Sequence, residues 1–478
     1  MSPKNGITLT ELLNERISER PYLTIAEGGT WNYRETLAEV TGRGEALRGW
    51  GIHAGQRVAL KVSDPGEFIL WFLAILSIDC TAVPINPSAP PDDVRRTLEK
   101  SGSTAFFDGT HPPTMLVGAP LVVKKRGQQG AGVILLTSGS TGDPKPVGLP
   151  LDALLHTARQ VVRAHRLTSD DRGFSPLPLF HINALVVAVL GTLVAGASIV
   201  IADGFHASDF WDVVEHEQVT WINAVPSILM VLSQRPESPQ NPERIRFIRS
   251  ASAPLSRATR ERIEERFRIG VVETYGMTEA GSQITANPLP SEGPKAGSVG
   301  LPFGIEVRVV DEDGTELGTG ERGAVEIRGP GVLDPNWGSN HWARRVMNEG
   351  WYPTGDLGFV DRAGFLYLDG RSRDIINRGG EKIFPREVEE WLLTHAEVAD
   401  CAVVGRPHPI LGEEPVAFVV ARDESALKIE GLDEFAEQGL ARFKRPAAYF
   451  VVKSLPKGST GKVARQDLRQ QVGEGGAW

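Results

Sequence analysis

The stretch LLTSGSTGDPKPVGLP, from Leu135 to Pro150, sets Thr137, Ser138, Gly139, Ser140, Thr141 and Gly142 directly after the apolar run Val133 to Leu136. Lys145 follows three residues beyond Gly142. Glycines let a backbone approach an anion and turn its N–H groups inward. The hydroxyls add donors and the lysine adds positive charge, so these residue types together suit a triphosphate. The spacing is not G-x-x-x-x-G-K-[ST], in which lysine is adjacent to the last glycine. Taken alone, such a cluster reads as a flexible turn.

Seven further segments follow in chain order. They are PLFHINAL (178–185), TWINAVPS (220–227), IRSASAPLS (248–256), ETYGMTEA (273–280), WYPTGD ending at Asp356, GRSRDIINRGGEKIFPREVEE from Gly370, and LPKGSTGKVAR around Lys462. Singly, each has an ordinary reading. Glu279 is a solvated carboxylate, Asp356 a turn residue, Lys462 a surface lysine, His181 a core histidine, and Gly379-Gly380 a turn. In this order and at this spacing, the set resembles the adenylate-forming superfamily of acyl-CoA synthetases, peptide-synthetase adenylation domains and firefly luciferase. The resemblance covers essentially the whole chain.

That resemblance implies a chemistry and a role for each residue. A carboxylate is a poor electrophile, and transfer to AMP gives it a stabilised phosphate leaving group that a thiol can displace. The first step needs charge neutralisation and in-line positioning more than proton transfer. The resemblance gives Thr137 to Gly142 and Lys145 to the β- and γ-phosphates of ATP, Thr278 to the α-phosphate, and Glu279 to Mg²⁺ as a hard oxygen ligand. Asp356, with Arg371 alongside, takes the ribose hydroxyls, and Tyr275 stacks on adenine. Ser252, Ala253, Pro254, Glu273, Thr274, Gly276 and Met277 fall in the nucleotide-contacting segments. His181 falls where a side chain gates the acyl pocket, with Asn183, Asn223 and Ala251 as pocket candidates. Lys462 bridges the acyl carboxylate and the α-phosphate. The small domain then turns about a hinge at Arg373, removing Lys462 and admitting Gly379 and Gly380, whose size leaves room for the pantetheine arm of coenzyme A.

Three positions depart from the family pattern. Pro146 stands where glycine is usual after the loop lysine, Pro353 where arginine is common, and Arg373 where aspartate or lysine is usual. Proline removes an N–H and biases the preceding residue toward extended backbone. A half-enzyme, which makes the thioester from a supplied adenylate, therefore stands beside the full acid–CoA ligase. Two further alternatives are an adenylation enzyme that loads a carrier protein and a non-catalytic acyl-nucleotide binder. The acid and the oligomeric state are left open.

The elements that must position these residues are legible as patterns. Up to about residue 370, strand candidates such as Val58 to Lys61, Thr81 to Ile85, Val219 to Ala224 and Ile245 to Ser250 alternate with helices, which signals mostly parallel α/β sheets. From Gly304 the alternation Ile305, Val307, Val309 and then Ala324 to Arg328 reads as antiparallel hairpins, a β-barrel-like subdomain. After the polar stretch 369–374, a compact α+β module follows. The expected division is an N-terminal domain, 1–371, and a mobile C-terminal domain, 372–478. The net charge of -9 argues against nucleic acid, which needs a basic stripe. Cys80 and Cys401 lack metal-ligand or disulfide spacing, and read as buried reduced thiols of a cytoplasmic protein. The uncharged run Ala184 to Ala202 contains the Gly196-Ala197 break, so it reads as helix, turn and strand rather than a membrane span.

Overall fold

The computed structural model describes residues 7–116, 130–137, 144–422, 427–458 and 462–473. In its first sheet, Ala105–Phe107, Arg57–Leu60, Thr81–Pro84 and Gly132–Thr137 (β1) run parallel. Thr114–Met115 and Lys145–Pro150 (β2) close the two edges antiparallel. The second sheet has Trp221–Ala224 (β3), Phe247–Ser250 (β4) and Val271–Tyr275 (β5) in parallel register near one side. These strands are short and buried on both faces, as continuous apolar runs in helix-covered sheets should be.

The helix Pro65–Ser77 shows why such runs become helices here. Asp64 caps it by accepting from the Glu67 N–H (2.7 Å), Pro65 takes the first turn, and the helix is buried almost all round. The uncharged run from Ala184 is resolved as expected: a π-helical segment Asn183–Leu190, the α-helix Gly191–Ala195, left-handed Gly196, then the strand Ser198–Ile201. Among the described residues, no helix is long and apolar enough to cross a membrane. Both cysteines are free and buried.

The hairpins after Gly304 form a four-stranded antiparallel sheet that ends in Tyr352–Val360 (β6) and Leu366–Arg371 (β7). Beyond it, the long hairpin Val398–His408 and Gly412–Ala421 carries the C-terminal module. The main apolar core runs to Leu366, and the clusters of the C-terminal module start at Ile376. In this module Arg465 forks onto Glu389, with Nη1–Oε1 at 2.5 Å and Nη2–Oε2 at 2.8 Å, and Nη1 also donates to Val403 O (2.8 Å).

Pro146 lies in β2, and its place there answers the question its sequence position raises. β2 is an edge strand, where proline is tolerated if its N–H side faces away from the partner. Gly148 shows which way this set of residues faces. Its N–H donates to Asn340 Oδ1 and its carbonyl accepts from Asn340 Nδ2, both at 2.7 Å. The Pro146 carbonyl, on the same side, accepts from Trp342 Nε1 (2.8 Å). Pro146 and Pro150 therefore occupy positions that owe β1 no hydrogen bond. Asn340 acts as the missing neighbour of the edge, and is itself fully buried. Gly132 and Gly148 are glycines because a Cβ would stand 2.6 and 2.8 Å from the Trp337 ring.

Replacing Asn340 with alanine leaves two buried backbone groups of Gly148 without partners. The expected loss of stability is about 2–4 kcal/mol, read by urea denaturation.

Candidate active site

Strand β6 alternates with a period of two, so Tyr352, Thr354 and Asp356 share its buried face. Asp356 is clamped from several directions. Its Oδ2 accepts from the Tyr275 hydroxyl (2.5 Å), and its Oδ1 pairs with Arg371 Nε (2.7 Å), the residue directly opposite on β7. Its N–H donates to Thr354 Oγ1 (3.1 Å), and that hydroxyl donates to Val325 O (2.8 Å). An ionised carboxylate has about four acceptor sites. Those left over by Tyr275 and Arg371 suit a pair of vicinal hydroxyls. Burial, reinforced by the Asp356 charge, raises the Tyr275 hydroxyl well above the usual phenol range, so it stays a donor.

At the end of β5 the chain turns sharply through Gly276. A Cβ there would lie 1.3 Å from Ser282 O, so no other residue fits. The turn delivers Thr278 and Glu279 on the short 3-10 segment Thr278–Ala280. Burial raises the Glu279 carboxyl, while Arg371 and Lys462 pull it back down. The Tyr352 hydroxyl bonds to Glu279 and is itself pushed up by burial and by that carboxylate. Lys462 completes the group. Burial among protein atoms and the Arg371 charge lower its ammonium, and Asp356 and Glu279 counteract them. Lys462 keeps solvent access at the side-chain surface. The lysine of the C-terminal module thus lies within electrostatic reach of Asp356, Glu279 and Arg371.

The other expected site residues fall into distinct places. Ser138, Gly139, Ser140, Thr141 and Gly142 lie outside the described residues. Thr137 and Lys145 face each other at the mouth of that loop, and Lys145 Nζ sits 5.1 Å from the centre of the Trp342 ring. Ala251 is buried, Ser252 takes a left-handed φ of 74°, Ala253 is half-buried and Pro254 exposed. Asn183 and Asn223 are buried and bonded to each other (3.3 Å). His181 is half-buried beside Phe180, with ring centres 4.5 Å apart, and Met277 packs against the main core. The carboxylate of Glu273 is engaged by Arg260 (3.2 Å), and the Thr274 hydroxyl donates to Ser250 O (3.3 Å), so neither joins the Asp356 group. Gly379 and Gly380, both with positive φ, form the two-residue turn of the hairpin Ile376–Arg378 and Glu381–Ile383, as a Gly-Gly turn should. Arg373 is exposed on the 3-10 turn Ser372–Asp374, and its carbonyl accepts from Arg469 (3.2 Å).

Sequence reasoning passed over Tyr352 and Thr354, although the period of two through YPTGD marks both. A magnesium ion fits the carboxylate of Glu279. Mg²⁺ usually takes one or two carboxylates plus substrate phosphates, and keeps several waters. Among the described residues no three His, Cys, Asp or Glu side chains converge as an all-protein metal cage.

A Tyr275→Phe variant removes the hydroxyl that holds Asp356. A hydrogen bond to a charged group is worth about 1.5–3 kcal/mol, so the dissociation constant for ATP should rise roughly 10- to 100-fold by titration calorimetry.

Comparison with known proteins agrees with this geometry. Residues 13–335 match the AMP-binding enzyme family, and residues 387–462 match the AMP-binding enzyme C-terminal domain. An oxalate–CoA ligase of Arabidopsis thaliana is 35% identical over 88% of this chain and 89% of its own length. A sulfoacetate–CoA ligase of Cupriavidus necator is 33% identical over 96% of this chain and 97% of its own. The crystal structure of ATP-bound MatB from Rhodopseudomonas palustris superposes with a TM-score of 0.88 at 26% identity, over 97% of this chain and 98% of that one. The o-succinylbenzoate CoA synthetase of Bacillus subtilis, solved with its acyl-adenylate, gives 0.82 at 27% identity, over 96% and 97%. The chain belongs to the AMP-binding enzyme family of adenylate-forming acid–CoA ligases.

Proposed function

We propose that this chain, a cytoplasmic enzyme, converts a carboxylic acid to its coenzyme A thioester in two half-reactions that share one pocket. In the first, a carboxylate oxygen of the acid attacks the α-phosphorus of ATP and pyrophosphate leaves. In the second, the thiolate of coenzyme A attacks the carbonyl of the acyl-adenylate and AMP leaves. The observation that carries this reading is the convergence of Lys462 on Asp356, Glu279 and Arg371.

The residues divide the work by charge. Asp356 holds the ribose through its free acceptor sites, and Arg371 fixes that carboxylate in place. Thr278 donates to the α-phosphate. Lys462 neutralises charge shared between the incoming carboxylate and that phosphate, which matters most where charge develops in the transition state. Tyr275 positions Asp356 through its hydroxyl, while its ring meets the adenine. Thr137 and Lys145 flank the phosphate loop. Glu279 would hold Mg²⁺, which when bound neutralises the polyphosphate and steadies the leaving pyrophosphate.

For the second half-reaction the division into 1–371 and 372–478 becomes mechanical. Rotation about Arg373 withdraws Lys462 and brings the exposed Gly379-Gly380 turn to the pocket. Glycine at that turn gives the pantetheine arm a path. The edge position of Pro146 favours a complete ligase over the half-enzyme, because the proline takes nothing from the β1–β2 ladder. The acids named for the relatives range from oxalate to indoleacetate, so the preference of this chain rests on its own pocket.

Two measurements test the reading. Lys462→Ala should lower ATP–pyrophosphate exchange by about 10²–10³, as the loss of a charge-stabilising donor does, while thioester formation from a supplied acyl-adenylate and coenzyme A persists. Equal loss in both assays would overturn the division of labour. Pro146→Gly should change exchange by less than about threefold, since it leaves the edge pairing intact; a large gain would revive the half-enzyme.

A further inference from the structure

Arg249 lies inside β4 and is completely buried. It stands one residue before the carboxyl end of the strand, in register with Asn223 on one side and Val272 on the other. Ligands of parallel α/β sheets bind beyond those carboxyl ends. Among the described residues its guanidinium meets only neutral partners. Nη1 donates to Asn183 Oδ1 (3.1 Å) and Asn223 Oδ1 (3.0 Å), and Nη2 donates to Gln283 Oε1 (3.4 Å). Among the described residues Nε has no partner, and neither do Gln283 Nε2 and His165 Nδ1 beside it. Nearby arginines are treated differently: Arg260 pairs with Glu273 and Arg246 with Asp171. Among the described residues no carboxylate pairs with Arg249.

Burial lowers this arginine to about 9, which still leaves it a cation at neutral pH. His165, lowered to about 3 by burial and by Arg249, stays neutral. A buried cation with no counter-charge is strongly unfavourable unless something supplies one. The surroundings suit an anion. Asn183, Asn223 and Gln283 each carry both an acceptor and a donor, so a half-turn of any amide offers its NH₂ to an anion seated on the guanidinium. Asn183 also opens the π-helical segment, a rare form often found at functional sites, and its Nδ2 donates to Ser252 Oγ (3.3 Å) in the loop after β4. The cluster therefore lies one hydrogen bond beneath the expected acyl-adenylate loop.

We infer that Arg249 receives a second anionic group on the acid, so that this enzyme selects a carboxylic acid bearing a further carboxylate or sulfonate. The inference rests on the ligase reading above and supplies its substrate class.

The test compares ATP–pyrophosphate exchange and thermal melting on the full chain with paired acids: oxalate with acetate, malonate with propionate, succinate with butyrate, and sulfoacetate with propionate. At least one dianion should exceed its partner about 100-fold in kcat/KM, chiefly through KM, as sites built around a buried polar group discriminate. The pairs separate carboxylate from sulfonate as the preferred group. Arg249→Met should bring that ratio to about 1, raise the melting temperature of the free protein, and abolish the rise that the dianion gives the wild type. Arg249→Lys, which keeps the charge without the fork, should retain part of the ratio, and it carries the test alone if Arg249→Met fails to fold. A wild type that prefers monocarboxylates, or variants that keep the ratio or lose both members of a pair equally, overturns the inference and leaves the ligase reading standing. A dianion-specific melting shift without exchange for any acid overturns the ligase reading alone. Neither shift nor exchange overturns both.

Discussion

The clamp on Asp356 is the constraint from which the rest of the site follows. One carboxylate joins β5 through Tyr275 and β7 through Arg371, and a third tie runs through Thr354 to Val325. It therefore locks the second sheet to the antiparallel subdomain. Arg371 is also the last residue before the 3-10 turn Ser372–Asp374, so the approach to the C-terminal module is anchored by the same ion pair. A group positioned from several independent elements loses little entropy when ligand arrives, which is how preorganised electrostatics act.

Opposite charges are gathered around the clamp. Asp356 and Glu279 act on Arg371 and Lys462, with Arg373 and Asp374 adding one charge of each sign nearby. In a partly buried setting such attraction is worth far more than between the same charges in water. The overall acidity of the chain does not report this feature, since net charge sums over the whole molecule.

Much of the fold was legible in the sequence because it rests on periodicity. The buried strands, the helix after Asp64, the helix–turn–strand reading of Ala184 to Ala202, and the hairpins after Gly304 all follow from apolar spacing and turn residues. The ordered motifs likewise contain Glu279, Asp356, Arg371 and Lys462, whose charges the structure brings together. What escaped was decided by partners distant in sequence. That Pro146 takes no hydrogen bond from the β1–β2 ladder depends on edge position and on Asn340 and Trp342, nearly two hundred residues away. Glu273 and Thr274 sit in a nucleotide motif, yet Arg260 and Ser250 claim their side chains. Arg249 falls within the strand candidate Ile245 to Ser250 and was not singled out; the neutral amides from three other segments reveal what it lacks.

The fork of Arg465 onto Glu389 has a consequence for motion. Arg465 follows Lys462 by three residues, and Glu389 belongs to the first helix of the C-terminal module. The segment bearing the lysine is thereby riveted to the body that carries it. Displacing that segment alone would break a partly buried bidentate pair. Glu389 also accepts from the Val403 N–H (2.7 Å), so strand, helix and lysine-bearing segment are tied into one unit.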